Sequence, residues 1–206
     1  MKSIKWKILA ITCLFCLVPI LPGVFLWDAL PDSMAIHFNL NNEPDNFAPK
    51  GFVVFGLPCL LMLLQFVCCI CNDIKMYKRG NSLKLEMITK WILPVVTVIL
   101  MLTTLMFNLG WGVDVRKIAM LIVGVIFLLV GICLLEVHYI KYFKVDADKA
   151  RKINRFWGVE MIVMGMFAFI TTFLPPVATL VWLLALMLSV FVGIIYCIKI
   201  AGEKGV

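Results

Sequence analysis

Hydrophobic residues along this chain are gathered into long runs separated by short polar segments, and six of those runs predict membrane spans over residues 7–27, 52–71, 89–109, 118–139, 157–174 and 177–198. Each is about twenty residues long, which at about 1.5 Å of rise per residue crosses a hydrocarbon core of about 30 Å. The fifth and sixth are divided by Pro175-Pro176, which forces a hairpin because proline has no N–H with which to continue a helix. The expectation is an all-α membrane protein, a bundle of six transmembrane helices forming one integral membrane domain over residues 1–206, with a structured extracytoplasmic loop at 28–51 between the first two spans.

Composition supports that reading. The chain is 63% hydrophobic and 15% charged with a mean hydropathy of +1.04, whereas soluble domains carry roughly 45–50% apolar and about 25% charged residues. Lys2, Lys5 and Lys7 before the first run imitate the start of a signal peptide. The run is too long for one, and Phe25-Leu26-Trp27 is no small-residue cleavage site, so a retained first helix is expected. Trp6, Trp27, Trp91, Trp111 and Trp157 fall near predicted span ends, as an aromatic belt requires.

Charge sets the expected orientation. If both termini share one side, all of the 19 lysines and arginines except Lys50, Arg116 and Lys117 lie on that side, and positively charged segments resist translocation, which predicts N-in and C-in. Asp28, Asp32, Glu43, Asp45 and Asp114 fall outside. The net charge of +7 is then a topology signal plus attraction to anionic inner-leaflet lipid, with no nucleic acid implied. The lysine-rich balance fits a bacterial plasma membrane. The inner segments 72–88 and 140–156 read as short connections, and a cytoplasmic regulator is a possible partner for them.

All eight cysteines lie in or at the ends of apolar runs, so no disulfide framework is expected. Cys68, Cys69 and Cys71 cluster without a histidine, and neither metal nor cofactor is expected. No H-E-x-x-H, G-x-S-x-G or phosphate-cradling glycine loop is present, so an enzyme is not expected.

The chemistry concentrates in residues 28–51. Ile36 to Asn39 alternates as a short extended stretch, and Asn41-Asn42-Glu43-Pro44-Asp45 reads as a turn. Leu30, Pro31, His37, Phe38, Asn39, Asp45 and Lys50 follow, in order and spacing, the pattern L-P-x-x-h-x-x-H-[FW]-[ND]-x-x-G-x-x-[DN]-x-[WY]-x-x-K. In this the segment resembles the SdpI-like immunity proteins, bacterial membrane proteins associated with protection from secreted peptide toxins. Asn42 stands where that pattern has Gly, and Phe47 where it has Trp or Tyr. A second signature of the family is partly visible in Lys152 to Gly158, without its upstream Gly-x-Arg-Thr element.

The resemblance implies a protein that recognises an extracellular peptide toxin at the outer face and relays its presence to the cytoplasm. His37, Asn39, Glu43 and Asp45 would meet a cationic or amphipathic peptide, Asn42 would shape the turn, and Lys50 would either pin the loop through Glu43 or Asp45 or act as an interfacial anchor. Pro19, Pro22, Pro58, Thr103, Thr104, Asn108, Thr171 and Thr172 fall at one depth, consistent either with a shallow outer cavity or with threonines bonding their own helices. Thr104 and Asn108, four residues apart on one helix face, would accept the peptide's apolar part. A carrier or flippase for a lipid or amphiphile is the alternative. Its inner relay would run through Gln65, Glu136, His138 and Glu160, although Glu136 and Glu160 could instead pair with Lys141, Lys152 or Arg155 at the interface.

Overall fold

The computed structural model describes residues 4–79, 83–136 and 146–202, without the side chains of 75–79 and 83–84. The protein is mostly helical, and six helices are long and apolar enough to cross a membrane. Two compact units form along the chain, Met1–Lys75 with Thr89–Ala119 and Met76–Ile88 with Met120–Val206.

The first unit opens with a broken span. Helix α1 (Trp6–Leu17) stops where Pro19 has no N–H to return to the Phe15 carbonyl, which accepts from Val18 N instead at 3.2 Å. The span resumes as α2 (Ile20–Phe25), so the expected first span is one apolar stretch broken at Pro19. A short turn at Trp27–Ala29 leads into β1 (Ser33–Phe38), paired antiparallel with β2 (Pro44–Pro49). Met34 opposes Ala48 and Ala35 opposes Phe47, with irregularities on either side of His37. The extended stretch and turn expected from the sequence are therefore one arm and the tip of a β-hairpin. The second strand, bounded by two prolines, was not expected.

A widened π-type turn (Phe52–Gly56) precedes α3 (Leu57–Arg79). It ends just before Pro58, which has no N–H for the Val54 carbonyl. Helix α4 (Leu83–Asn108) carries Pro94 in its interior. Leu30, Met34, Ala48, Val53, Val54, Met101 and Leu105 form one buried cluster beneath the hairpin, so its underside is a packed core.

The second unit contains most of α5 (Val115–Glu136), with α6 (Ala147–Thr171) and α7 (Val177–Gly202). Two glycines on α5, Gly124 and Gly131, meet two on α6, Gly165 and Gly158, so closely that a Cβ on Gly131 would stand 2.8 Å from the Gly158 carbonyl oxygen. The seven-residue spacing on both helices returns each glycine to the same seam, and small residues there let the backbones approach. Trp182 of α7 donates its indole N–H to the Met164 carbonyl at 2.9 Å, over a cluster with Met120 and Ala168. Pro175 and Pro176 separate α6 and α7, as expected.

The two segments expected to be inner connections depart from expectation. Most of 72–88 is helix, because α3 runs to Arg79 and α4 begins at Leu83. In 140–156 the described part is helical from Ala147, ten residues before the predicted fifth span. Its start is set by Asp146, whose carboxylate accepts from Lys149 N at 2.8 Å as an N-cap.

Gly131→Ala should lower the thermal unfolding midpoint in detergent by the equivalent of about 1–3 kcal/mol, because the added methyl meets backbone that cannot rotate away. Gly112→Ala, where a Cβ meets nothing within 4 Å, is the control and should be silent. Equal midpoints for both would mean that the α5–α6 seam is not close-packed.

Candidate functional site: the hairpin and its supports

The hairpin tip is built by Asn39. Its Oδ1 accepts from Asn41 N at 2.9 Å and Glu43 N at 3.0 Å, and its Nδ2 donates to Glu43 Oε2 at 2.8 Å. Asn42 adopts φ 65°, the left-handed region that Gly and Asn tolerate best. Where the family pattern has Gly, the side chain adds an anchor: Nδ2 donates to the Val113 carbonyl at 3.0 Å, and Oδ1 accepts from Val115 N at 2.8 Å. The second bond satisfies an amide at the start of α5 that has no partner within its own helix.

Asn108, at the end of α4, holds the hairpin from the β1 side. It accepts from Ala35 N at 2.8 Å and donates to the Ala35 carbonyl at 3.0 Å and to Thr104 O at 2.8 Å. Both Ala35 backbone groups thus point away from β2, and a free strand edge is closed by one side-chain amide. Phe38 packs edge-on against Phe107 with ring centroids 4.5 Å apart, and Leu30 is buried in the cluster beneath. Lys50 does pin the loop, but through a different partner than expected: its Nζ lies 2.9 Å from Asp32 Oδ1 and 5.0 Å above the Trp27 ring. Glu43 is held by Asn39 and Asp45 by His37, so neither is the partner of Lys50. Pro31 is exposed beside Asp32.

The outward chemistry is what these supports leave over. His37, with its side chain 68% exposed, places Nδ1 2.5 Å from Asp45 Oδ1, and Glu43 is exposed at the tip. His37 therefore bonds a carboxylate. Phe47 is 52% exposed on β2. The hydroxyls of Thr103, Thr104, Thr171 and Thr172 donate to carbonyls of their own helices, those of Ile99, Leu100, Ala168 and Phe169.

The proposed inner residues are placed separately. Gln65 is 1% exposed, and its Nε2 donates to the Lys90 carbonyl at 2.8 Å and to Cys69 Sγ at 3.1 Å. Lys90 is four residues before Pro94, so its carbonyl is the one Pro94 leaves without a helix N–H, and Gln65 supplies the donor. The Lys90 ammonium, equally buried, pairs with Asp73, whose other oxygen accepts from Lys5 N at 3.2 Å. Sequence reasoning used Lys90 only as a topology marker and missed this pair. The signal was present as a lysine just inside the start of one apolar run and an aspartate two residues beyond the end of another.

Glu160 accepts from Ser189 Oγ at 2.6 Å, so its partner is on α7 and not Arg155 or Lys152. Glu136 is exposed at the end of α5, and His138 lies outside the described residues. With Gly131 facing Gly158, Glu160 falls about seven residues, or roughly 10 Å, along the seam from Glu136. The structure does not bring these two carboxylates together.

Gln65→Leu should destabilise the protein by about 1–3 kcal/mol, by burying an unpaired carbonyl. In a Pro94→Ala background the loss should shrink, because the restored N–H at position 94 takes that carbonyl. A double-mutant cycle of unfolding midpoints reads the coupling, and strict additivity would mean that the Gln65 bond contributes nothing. At the hairpin, Asn42→Gly should cost about 1–2 kcal/mol through its two lost bonds, and Asn42→Ala about 1 kcal/mol more for left-handed strain. Hydrogen exchange of the β1 and β2 amides should follow the order wild type, Gly, Ala. An Asn42→Gly variant as protected as wild type would leave the anchor without effect.

A family model described as a domain of unknown function, DUF1648, matches residues 14–62. It takes in the later part of α1, α2, the whole hairpin and the opening of α3, about a quarter of the chain. No curated protein and no solved structure matches the chain. The domain match is compatible with the SdpI-like resemblance and does not single that family out.

Proposed function

We propose that the chain is a multi-pass membrane protein of the SdpI-like kind that protects a bacterial cell from a secreted peptide toxin. Its termini lie inside, and its hairpin faces outward in the plasma membrane. The observation that carries this reading is the charge and mounting of residues 28–51. Asp28, Asp32, Glu43 and Asp45 oppose the single Lys50 in a chain whose overall charge is +7, and the hairpin that bears Glu43 and Asp45 is fixed to helix ends by Asn42 and Asn108. A rigid acidic projection at a membrane surface attracts a cationic amphipathic peptide, and opposite charges raise encounter rates most at low ionic strength.

In this reading Glu43, Asp45 and His37 meet the peptide. Leu30, Phe38, Asn39, Asn42, Lys50, Thr104 and Asn108 act through the shape of the hairpin and its base. Phe47, an exposed aromatic beside the carboxylates, offers the peptide an apolar contact. Relay of the signal to a cytoplasmic regulator is part of the proposal. No cofactor is needed for recognition.

The test is growth of a susceptible bacterium, with and without the chain, against a panel of secreted cationic peptides. Expression should raise the inhibitory concentration of at least one. The triple variant Asp28→Asn, Glu43→Gln, Asp45→Asn should return it toward the unprotected value by on the order of tenfold, the equivalent of about 1.4 kcal/mol of lost binding. Glu160→Gln should leave protection intact. Protection lost with Glu160→Gln and kept in the triple variant would favour the carrier reading. Orientation is read separately by labelling Ser33→Cys in intact cells with a membrane-impermeant reagent, against the background of the eight native cysteines. A site that reacts only after cell lysis would overturn the outward hairpin.

A further inference from the structure

The second unit holds a site that neither the domain match nor the immunity reading uses. Where the C-terminal ends of α5 and α7 flank the first turns of α6, a cavity of about 350 Å³ is walled by Leu134, Ile153, Trp157, Ile198 and Ala201. Its wall is apolar apart from Asn154 and Cys197, and Trp157 has its one polar atom satisfied, donating its indole N–H to Cys197 Sγ at 3.2 Å. Leu134 and Asn154 also line a second, open basin of about 750 Å³, whose other walls are Leu135, Asp148, Arg151, Lys152 and Arg155. An apolar hole and a basic basin thus share a wall.

Charge in the basin is unbalanced. Asp148 is taken by Arg151, whereas Lys152 and Arg155 pair with no carboxylate among the described residues. They stand three residues apart and so present both cations on one side of α6. The next positions round the helix, Ile153, Asn154 and Trp157, face the cavity.

We infer that this is a binding site for an anionic phospholipid, with one acyl chain entering the cavity and the phosphate held by Lys152 and Arg155. The occupant follows from the two halves together. A soluble anion would satisfy the cations and leave the apolar hole unfilled. A neutral hydrocarbon would fill the hole and leave two cations unpaired. A single-charged phosphate on an alkyl chain meets both. The volume lies in the range of small-molecule pockets, which admits part of one chain and not a whole lipid. Basic pockets between spanning helices are a known means of holding anionic headgroups, favoured further by the negative potential of the cytoplasmic leaflet. That leaflet is the one α6 would enter under the orientation proposed above, although the binding itself depends neither on orientation nor on toxin recognition.

The experiment titrates the purified full-length chain in detergent with phosphatidylglycerol, with phosphatidylcholine of the same chain lengths, and with inorganic phosphate, and counts adducts by native mass spectrometry. Phosphatidylglycerol should bind on the order of tenfold more tightly than phosphatidylcholine, at a stoichiometry near one. The double variant Lys152→Gln, Arg155→Gln should abolish that preference. Ala201→Phe, which fills the cavity from the end of α7, should weaken phosphatidylglycerol by a similar factor with both cations in place. Ile198→Trp is a second filling variant should the first fail to elute as a monodisperse species. Equal binding of the two lipids would mean general annular lipid only and would overturn the site. Displacement of the lipid by an equal concentration of inorganic phosphate would overturn the acyl half and leave a phosphate site. Unchanged affinity in both filling variants would also overturn the acyl half.

Discussion

A backbone amide or carbonyl buried away from water without a partner costs free energy, and that constraint decides where this chain can stop being regular. Side-chain carboxamides stand at three of those places, at breaks in helix, strand and helix start. Pro94 removes an N–H from α4, and Gln65 donates to the Lys90 carbonyl left behind. Strand β1 turns the Ala35 amide and carbonyl away from its partner strand, and Asn108 takes both. Helix α5 begins with an amide that has no helical acceptor, and Asn42 accepts from it while bonding the Val113 carbonyl. A carboxamide suits all three because it carries donor and acceptor together and no charge to desolvate.

This arrangement separates what holds the hairpin from what the hairpin displays. The pattern that residues 30–50 resemble runs through both kinds of residue without distinguishing them. Leu30, Phe38, Asn39 and Lys50 are spent on the core, the aromatic contact, the turn and the ion pair with Asp32. His37, Glu43 and Asp45 remain at the surface. Recognition by a loop gains from such mounting, because a contact surface ordered before binding does not have to be ordered during it. Asn42 shows how a departure from the pattern is accommodated. It keeps the left-handed turn that Gly would supply and adds a side chain that ties the tip to the start of α5.

What the sequence made legible was what depends on local composition. The six apolar helices, the proline break between α6 and α7 and the turn at Asn42 follow from hydropathy and from the conformational limits of Pro and Asn. Long-range pairings were not legible in this way. Nothing near Lys50 ranks Asp32 above Glu43 or Asp45, since all three carboxylates lie within reach of an unfolded loop. Strand β2 was hidden by Pro44 and Pro49, which read as breakers although both sit at strand ends, where a missing N–H is tolerated. Gln65 looked like a relay candidate because a polar residue in a span is a functional candidate by default. Its partner is the carbonyl that Pro94 orphans, 25 residues away, and only the α3–α4 packing makes that visible.

The largest misreading, of the segment before Trp157 as a loop, has the same physical origin and a consequence for chemistry. Hydropathy separates apolar from charged residues, but it does not separate a charged loop from a charged helical extension that leaves the hydrocarbon. Lys149, Arg151, Lys152 and Arg155 therefore truncated the predicted span, although Asp146 supplies an N-cap and no helix-breaking residue intervenes. As a loop these cations would form a diffuse field, useful for orientation and little else. On α6 their positions are fixed relative to Ile153, Asn154 and Trp157, so their charge stands at a defined place beside an apolar cavity. A helix that carries its basic residues past the end of its apolar stretch can thus bind at the membrane boundary with specificity that a loop of the same composition would lack.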